Sequence, residues 1–214
     1  MAELSQLYDA IITGDAKASV AVTKEVLDGG ADPLELVTKH MIPAMDEVGR
    51  RFECEEYFVP ELLLSARAMK GAMALIRPLL VAQGAEPLGR VAIGTVKGDL
   101  HDIGKNLVAS MLEGGGFEVI DLGADVGTDK FVDAVTARNA NIICLSALLT
   151  VTMPAMKTTI EALKAAGLRE KVKVLVGGAP LTQRYADEIG ADGYGENASV
   201  AVSLARRLTA ARAT

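Results

Sequence analysis

The stretch Val91-Ala92-Ile93-Gly94-Thr95-Val96-Lys97-Gly98-Asp99-Leu100-His101-Asp102-Ile103-Gly104-Lys105-Asn106 runs from an apolar segment through a polar loop into a helical pattern. A short apolar run that ends in turn residues reads as a buried strand, and apolar residues at helical spacing begin near Ile103. The segment is therefore predicted to be a strand, a loop and the N-terminus of a helix. The loop carries His101, one of 2 histidines in the protein, with Asp99 two positions before it and Gly104 three positions after.

Towards the C-terminus the same alternation repeats. β-type runs fall at residues 117–122, 142–146 and 172–176, with a short fifth near Asp192-Gly193-Tyr194. Helical patterns fall between and after them, at about 103–113, 129–138, 153–166, 181–189 and 197–212. Strands alternating with helices predict a five-stranded parallel, doubly wound α/β sheet of Rossmann or flavodoxin-like type, with helices on both faces.

Towards the N-terminus the period changes. From Leu4 to about Ala82 the chain reads as helix, with Leu4, Leu7, Tyr8, Ile11 and Ile12 on a first helix that Gly14-Asp15 closes. Val20, Val22, Val26 and Leu27 carry a second, ending at Gly29-Gly30, a C-cap pair. Asp32-Pro33 opens a third, as an N-cap followed by a proline in the first turn. It runs to Val48 or Phe52 with a kink expected at Pro43. The fourth carries Leu62, Leu63, Ala66, Met69, Ala72, Met73, Leu75 and Ile76. Short connections make an antiparallel four-helix bundle the economical packing. Gln83–Gly89 reads as a linker, so the expected domains are a bundle over 1–86 and the α/β domain over 89–214.

Composition narrows the function classes. Half of the 214 residues are hydrophobic, Trp is absent and aromatics make up 4%, a profile of helices and parallel sheets. The net charge of −6 is spread over interspersed acids and bases, without the basic stripe that a nucleic acid demands. No charged n-region with an apolar core opens the chain, and no apolar run approaches the roughly 20 residues of a membrane span. A soluble, cytoplasmic protein without nucleic-acid or membrane partners is expected. Cys54 and Cys144 read as reduced packing residues.

Ligands of open parallel sheets bind outside the carboxyl ends of the strands. Those ends carry Asp99, His101 and Gly104; then Gly123-Ala124-Asp125; then Ser146 to Thr152; then Gly177-Gly178-Ala179-Pro180; then Tyr194-Gly195-Glu196-Asn197. The set is rich in small residues and hydroxyls and poor in acid–base groups. His101 is its reactive member, read either as a metal ligand whose ring is held by Asp99 or as a local loop cap. A zinc site lacks ligands, since His40 lies in a bundle helix and the cysteines are scattered. No serine sits on a G-x-S-x-G elbow, and Gly114-Gly115-Gly116 ends a helix where a phosphate fingerprint would open one. A metal at His101 must bring most of its own ligands, as a macrocyclic cofactor does.

Asp99-Leu100-His101-Asp102-Ile103-Gly104 resembles the D-x-H-x-x-G motif of corrinoid-binding domains, Ser146-Ala147-Leu148 their S-x-L, and Gly177-Gly178 their G-G, in the same order on the same strand ends. The helical segment, with Phe58-Val59-Pro60-Glu61 and Ser65-Ala66-Arg67, resembles the cap of cobalamin-dependent methionine synthase and of the small corrinoid proteins of methanol, methylamine and O-demethylase methyltransferase systems. The resemblance covers nearly the whole chain.

It implies a corrinoid cofactor, cobalamin, cycling between methylcobalamin and cob(I)alamin, bound with its own base displaced and His101 as the lower axial ligand of cobalt. Asp99 would hold the imidazole, and Thr152 would supply the hydroxyl of the relay. Gly104, Gly177 and Gly178 would leave a slot open for the displaced nucleotide tail, which Ser146 and Thr150 would bond. Asp102, Ile103, Asn106, Leu148, Ala179, Tyr194 and Gly195 would complete the cofactor contacts. Phe58 would shield the methyl group from the upper side, the alternative being an ordinary core aromatic. The chain would then be a non-autonomous component of a multi-protein system. Its expected partners are a substrate-specific methyltransferase, an acceptor methyltransferase that passes the methyl to tetrahydrofolate or a thiol, and a reductive activase. The competing readings are a cobalamin-dependent sensor or regulator, the small subunit of an adenosylcobalamin mutase, and a flavodoxin-like domain without a ligand.

Overall fold

The computed structural model describes residues 2–84 and 87–210, with side chains from residue 4 onwards. Five strands, β1 (Arg90–Thr95), β2 (Glu118–Asp121), β3 (Ile142–Ser146), β4 (Lys173–Gly177) and β5 (Gly193–Gly195), form one sheet in the order β2-β1-β3-β4-β5. Every pairing is parallel. The intervening helices are α6 (Ile103–Gly114), α7 (Thr128–Thr136), α8 (Pro154–Ala165) and α9 (Gln183–Ile189), and α10 (Ala198–Ala210) follows β5. The expected Rossmann-like architecture is the observed one. The expected last two residues of the final helix, 211 and 212, lie outside the described residues.

The strands read as near-continuous apolar runs because both of their faces are covered. Ile143, Leu145, Val174 and Val176 join Phe131 of α7 and Met156, Ile160 and Leu163 of α8 in one buried cluster. On α10, Leu204 lies beside Leu175 of β4 at the point where Gly193 lacks a side chain.

Contacts divide the chain into two compact units, Met1–Pro87 with Ser110–Gly116, and Leu88–Ala109 with Phe117–Thr214. The first is helical: α1 (Ala2–Ile12), α2 (Ala16–Asp28), α3 (Pro33–Glu35), a π-helical segment (Leu36–Met41), α4 (Ile42–Glu53) and α5 (Val59–Ala82). The expected caps are present. Asp15 accepts from the backbone N–H groups of Lys17 and Ala18, and Asp32 accepts from those of Leu34 and Glu35. Gly30, at φ +85, follows the C-cap Gly29 of α2.

The expected kink at Pro43 takes another form. A proline lacks the N–H of the helical ladder, and its ring collides with the carbonyl four residues back. Here the preceding turn widens to π-helix over Leu36–Met41 and α4 restarts with Pro43 in its first two positions, where a proline is tolerated.

Leu62, Ala66, Met69, Ala72 and Ile76 of α5 are buried, as expected, but Leu63 and Leu75 are exposed. They fall off the stripe that the 3–4 residue spacing of the others defines. The turn before α5 is tied by Arg51, which bonds Glu47 at 2.8 Å and the Tyr57 hydroxyl at 2.9 Å, while that hydroxyl donates to the Ile12 carbonyl. No helix among the described residues is long and apolar enough to cross a membrane.

Both cysteines are free; Cys144 is buried in β3, while Cys54 is exposed, which corrects its reading as a packing residue. It is the C-cap of α4, with the Arg50 guanidinium 3.7 Å from its sulfur. Burial pushes the Cys144 thiol up to about 12. A thiol reagent near neutral pH is expected to modify one cysteine per native chain quickly, Cys54, and the second only on unfolding. Fast modification of both would contradict the burial.

Candidate functional site

The strand order reverses between β1 and β3: from β1 the chain crosses to β2 on one side, and from β3 to β4 on the other. Such a switch point opens a crevice at the carboxyl ends. The register places Thr95, Ser146, Gly177 and Gly195 in one row across the ends of β1, β3, β4 and β5. The two loops that flank the crevice are the histidine loop after β1 and the Ser146–Thr152 loop after β3.

The histidine loop is bent by Gly98 at φ +86, a conformation that glycine adopts without steric cost. Asp125, from the loop after β2, holds that bend, accepting from the Gly98 N–H at 2.8 Å and from Lys97 Nζ at 2.9 Å. The buried hydroxyl of Thr95 donates to the His101 carbonyl at 2.9 Å. So anchored, the loop turns the Asp99 side chain fully inward, at 0% exposure.

Both Asp99 oxygens are engaged. Oδ1 lies 2.7 Å from His101 Nδ1 and accepts from the His101 backbone N–H at 3.1 Å. Oδ2 accepts from the backbone N–H of Leu148 at 2.8 Å, from that of Leu149 at 3.3 Å and from the Thr152 hydroxyl at 2.7 Å. Thr152 shares its one proton with the Leu149 carbonyl, 2.8 Å away. Burial pushes the Asp99 carboxyl up, but the bonds from Thr152, from the backbone of His101 and Leu148, and from the His101 ring outweigh it. They hold the carboxyl well below the usual carboxylate range.

An ionised carboxylate only accepts, so Nδ1 of His101 carries a proton, and in the neutral ring Nε2 is the nitrogen with the lone pair. No hydrogen bond of Nε2 occurs among the described residues, and the side chain is 50% exposed. An imidazole fixed in one tautomer with a free basic nitrogen is a prepared metal ligand. Among the described residues no group of three His, Cys, Asp or Glu side chains could hold a metal ion, so His101 can contribute only one ligand to a metal that brings the others.

Around the histidine, large apolar side chains face outward: Leu100, Ile103, Leu148, Leu149 and Val151, with Ile103 at 83% and Val151 at 81% exposure. Apolar area concentrated on two neighbouring loops marks a binding surface for something large and partly apolar. A Cβ added to Gly104 would meet nothing within 4 Å, so this glycine is not required by the protein's own packing and leaves room for a close approach. Gly178 differs from the expectation that it merely clears a slot. At φ +137 its Cβ would stand 1.9 Å from the Ala147 carbonyl oxygen, and a Cβ on Gly177 would stand 3.1 Å from the Gly195 oxygen. The backbone at the ends of β3 and β4 demands glycine at 178, while at 177 a side chain would only be tight.

The structure thus brings Asp99, His101, Leu148 and Thr152 into one hydrogen-bonded group, with Ser146, Gly177 and Gly195 in register beside it. Thr150 and Ala179 are exposed, and Tyr194 is half-buried in β5 against the core. Asp102 and Asn106 bond each other at the opening of α6, side chain to side chain at 3.1 Å and backbone to backbone at 2.7 Å. Phe58 belongs to the helical unit. It is 62% exposed, which excludes the core-aromatic alternative. Sequence reasoning passed over Thr95, a hydroxyl closing an apolar strand, and Asp125, which stands among the residues after β2 but has no spacing that ties it to Gly98.

Two family models match the chain, each described as a B12 binding domain, over residues 89–203 and 3–77. The chain is 45% identical to the dimethylamine corrinoid protein of Methanosarcina barkeri, with 97% of each chain covered. It is 45% identical to trimethylamine corrinoid protein 1 of Methanosarcina acetivorans, with 95% of each covered. Among solved structures, the methanol:cobalamin methyltransferase complex of Methanosarcina barkeri is similar with a TM-score of 0.85 and 29% identity, over 97% of this chain and 80% of the other.

Proposed function

Since this chain belongs to the B12-binding corrinoid proteins, we propose that it carries a methyl group on the cobalt of a cobalamin between two methyltransferases. One takes the methyl from a donor of the methylamine or methanol class; the other passes it to tetrahydrofolate or a thiol. The observation that carries the reading is the 2.7 Å contact of His101 Nδ1 with a buried carboxylate, which leaves Nε2 free, so that His101 would be the ligand this chain gives to cobalt in a cofactor whose own base is displaced. When bound, the cobalt supplies both the nucleophile that accepts the methyl group and the position that releases it.

The chain's own residues do the rest. Asp99 holds the proton on Nδ1 and orients the ring, and Thr152 with the Leu148 N–H keeps the carboxylate from turning away. Ser146 and Thr150 offer hydroxyls to the nucleotide tail, Gly104 leaves room beside His101, and the exposed apolar side chains of both loops receive the ring. Phe58, at the start of α5 with its N–H bonded to Glu61 at 2.9 Å, is an exposed aromatic of the helical unit. A reductive activase, restoring cobalt after accidental oxidation, belongs to the same proposal.

Isotopic labelling tests the ligation. Protein reconstituted with hydroxocobalamin and reduced by one electron is expected to show nitrogen splitting of the cobalt electron-spin signal. That splitting should change from a triplet to a doublet when the histidines carry nitrogen-15, and vanish in His101→Ala. A pattern indifferent to histidine labelling would overturn the assignment of His101. Methyl transfer from dimethylamine, trimethylamine and methanol, each with its own methyltransferase, tests the carrier role.

A further inference from the structure

Asp99 and Lys105 are the charged side chains that are buried among the described residues, at 0% and 2% exposure. The site accounts for the first. Lys105 has no part in it, yet it lies in the first turn of α6, four residues after His101. Both features are unfavourable: a helix N-terminus repels a cation, and an ammonium loses its hydration on burial. Both are offset by one partner. Lys105 Nζ lies 2.6 and 2.7 Å from the two oxygens of Asp121. Asp121 is the last residue of β2, and its carboxylate is itself fixed by the Gly123 N–H at 2.8 Å.

The place of this pair gives its effect. The histidine loop hangs between β1 and α6. Its β1 side is held by Thr95 and by Asp125, and its middle by the bonds of Asp99. The α6 side is joined to the edge of the sheet through Lys105. Resting on the reading of His101 as a cobalt ligand, we infer that Lys105 and Asp121 are a positioning pair. By pinning the first turn of α6 to the end of β2, they set the direction in which His101 presents Nε2.

The test uses Lys105→Met, which keeps the length of the stem and leaves behind a half-exposed Asp121 that water can solvate. Asp121→Asn, which retains a neutral acceptor for Nζ, is the second variant should the first not accumulate. Two readouts are taken. In the apoprotein, amide exchange over residues 98–104 is expected to quicken about tenfold in either variant, with β3 and β4 unchanged. In the reconstituted protein, the fraction of cobalt showing the histidine nitrogen splitting is expected to fall several-fold. The double variant is expected to be no worse than either single one, because the two side chains act as a unit.

Wild-type exchange at 98–104 with an undiminished splitting would overturn the inference and leave Lys105 a purely structural residue. Additive losses in the double variant would overturn it too. If the wild-type protein itself shows no histidine nitrogen at cobalt, the ligand reading falls instead. The exchange measurement then still decides whether the pair holds the loop.

Discussion

Asp99→Ala is expected to lose about 3–4 kcal/mol of stability, judged from the usual cost of removing a charged acceptor from several buried donors. The carboxylate accepts from the backbone of His101, Leu148 and Leu149, from the His101 ring and from Thr152. Deleting it strands the loop N–H groups in a space that the alanine methyl does not fill. Urea unfolding with an unchanged slope would measure the loss, and the slowly exchanging Nδ1 proton of His101 should disappear from the proton spectrum. Asp99→Asn should lose about half as much, because one amide oxygen can still serve one side while the NH2 faces donors on the other. The pH dependence has a fixed sign. The folded carboxyl lies below its unfolded value, so its stabilisation is complete at neutral pH and is lost as pH falls below about 4. The difference between wild type and Asp99→Ala should shrink over that range. A difference that persists unchanged into acid would show that the carboxylate charge is not what stabilises the loop.

Gly178→Ala should be the most damaging of the glycine substitutions at the strand ends. The left-handed side of φ, at +137, already strains an L-residue, and the new Cβ would sit 1.9 Å from a backbone oxygen of the neighbouring segment. Nothing flexible can give way there. A loss of about 3 kcal/mol or more is expected, read as a fall of about 6–12 °C in the melting temperature of a protein of this size. Gly104→Ala is its control, since the added methyl meets no protein atom within 4 Å and replaces a helical glycine. Stability should be unchanged or raised by about 0.5 kcal/mol or more. If the two variants melt alike, the crowding at Gly178 is not real.

These two glycines mark how far the sequence could be read. Period and turn residues disclosed the alternation of strands and helices, because a doubly covered parallel sheet writes its strands as unbroken apolar runs such as Ile142–Leu145. The D-x-H spacing pointed to Asp99 as the partner of His101, while Thr152 came from the resemblance to the corrinoid-binding family, as the hydroxyl six residues after Ser146. What stayed hidden depends on register. Asp125 acts on the histidine loop through bonds that exist only once β1 lies beside β2, and 28 residues separate Lys97 from the carboxylate that binds it, whereas the Thr95 bond to His101 is local and needs the loop itself to close. The demand for Gly178 is likewise set by a carbonyl in another strand's loop. The π-helical segment before Pro43 was legible as a disturbance but not as a kind, because a proline states that the ladder must break without stating how the turn before it yields.

The row formed by Thr95, Ser146, Gly177 and Gly195 has one more consequence. From β3 to β5 the strand ends carry no side chain larger than that of Ser146, and the buried Thr95 spends its hydroxyl on the His101 carbonyl. No charged side chain stands in that row, so charge enters the site only from the loops beside it, with the Asp99–His101 pair following its β1 end.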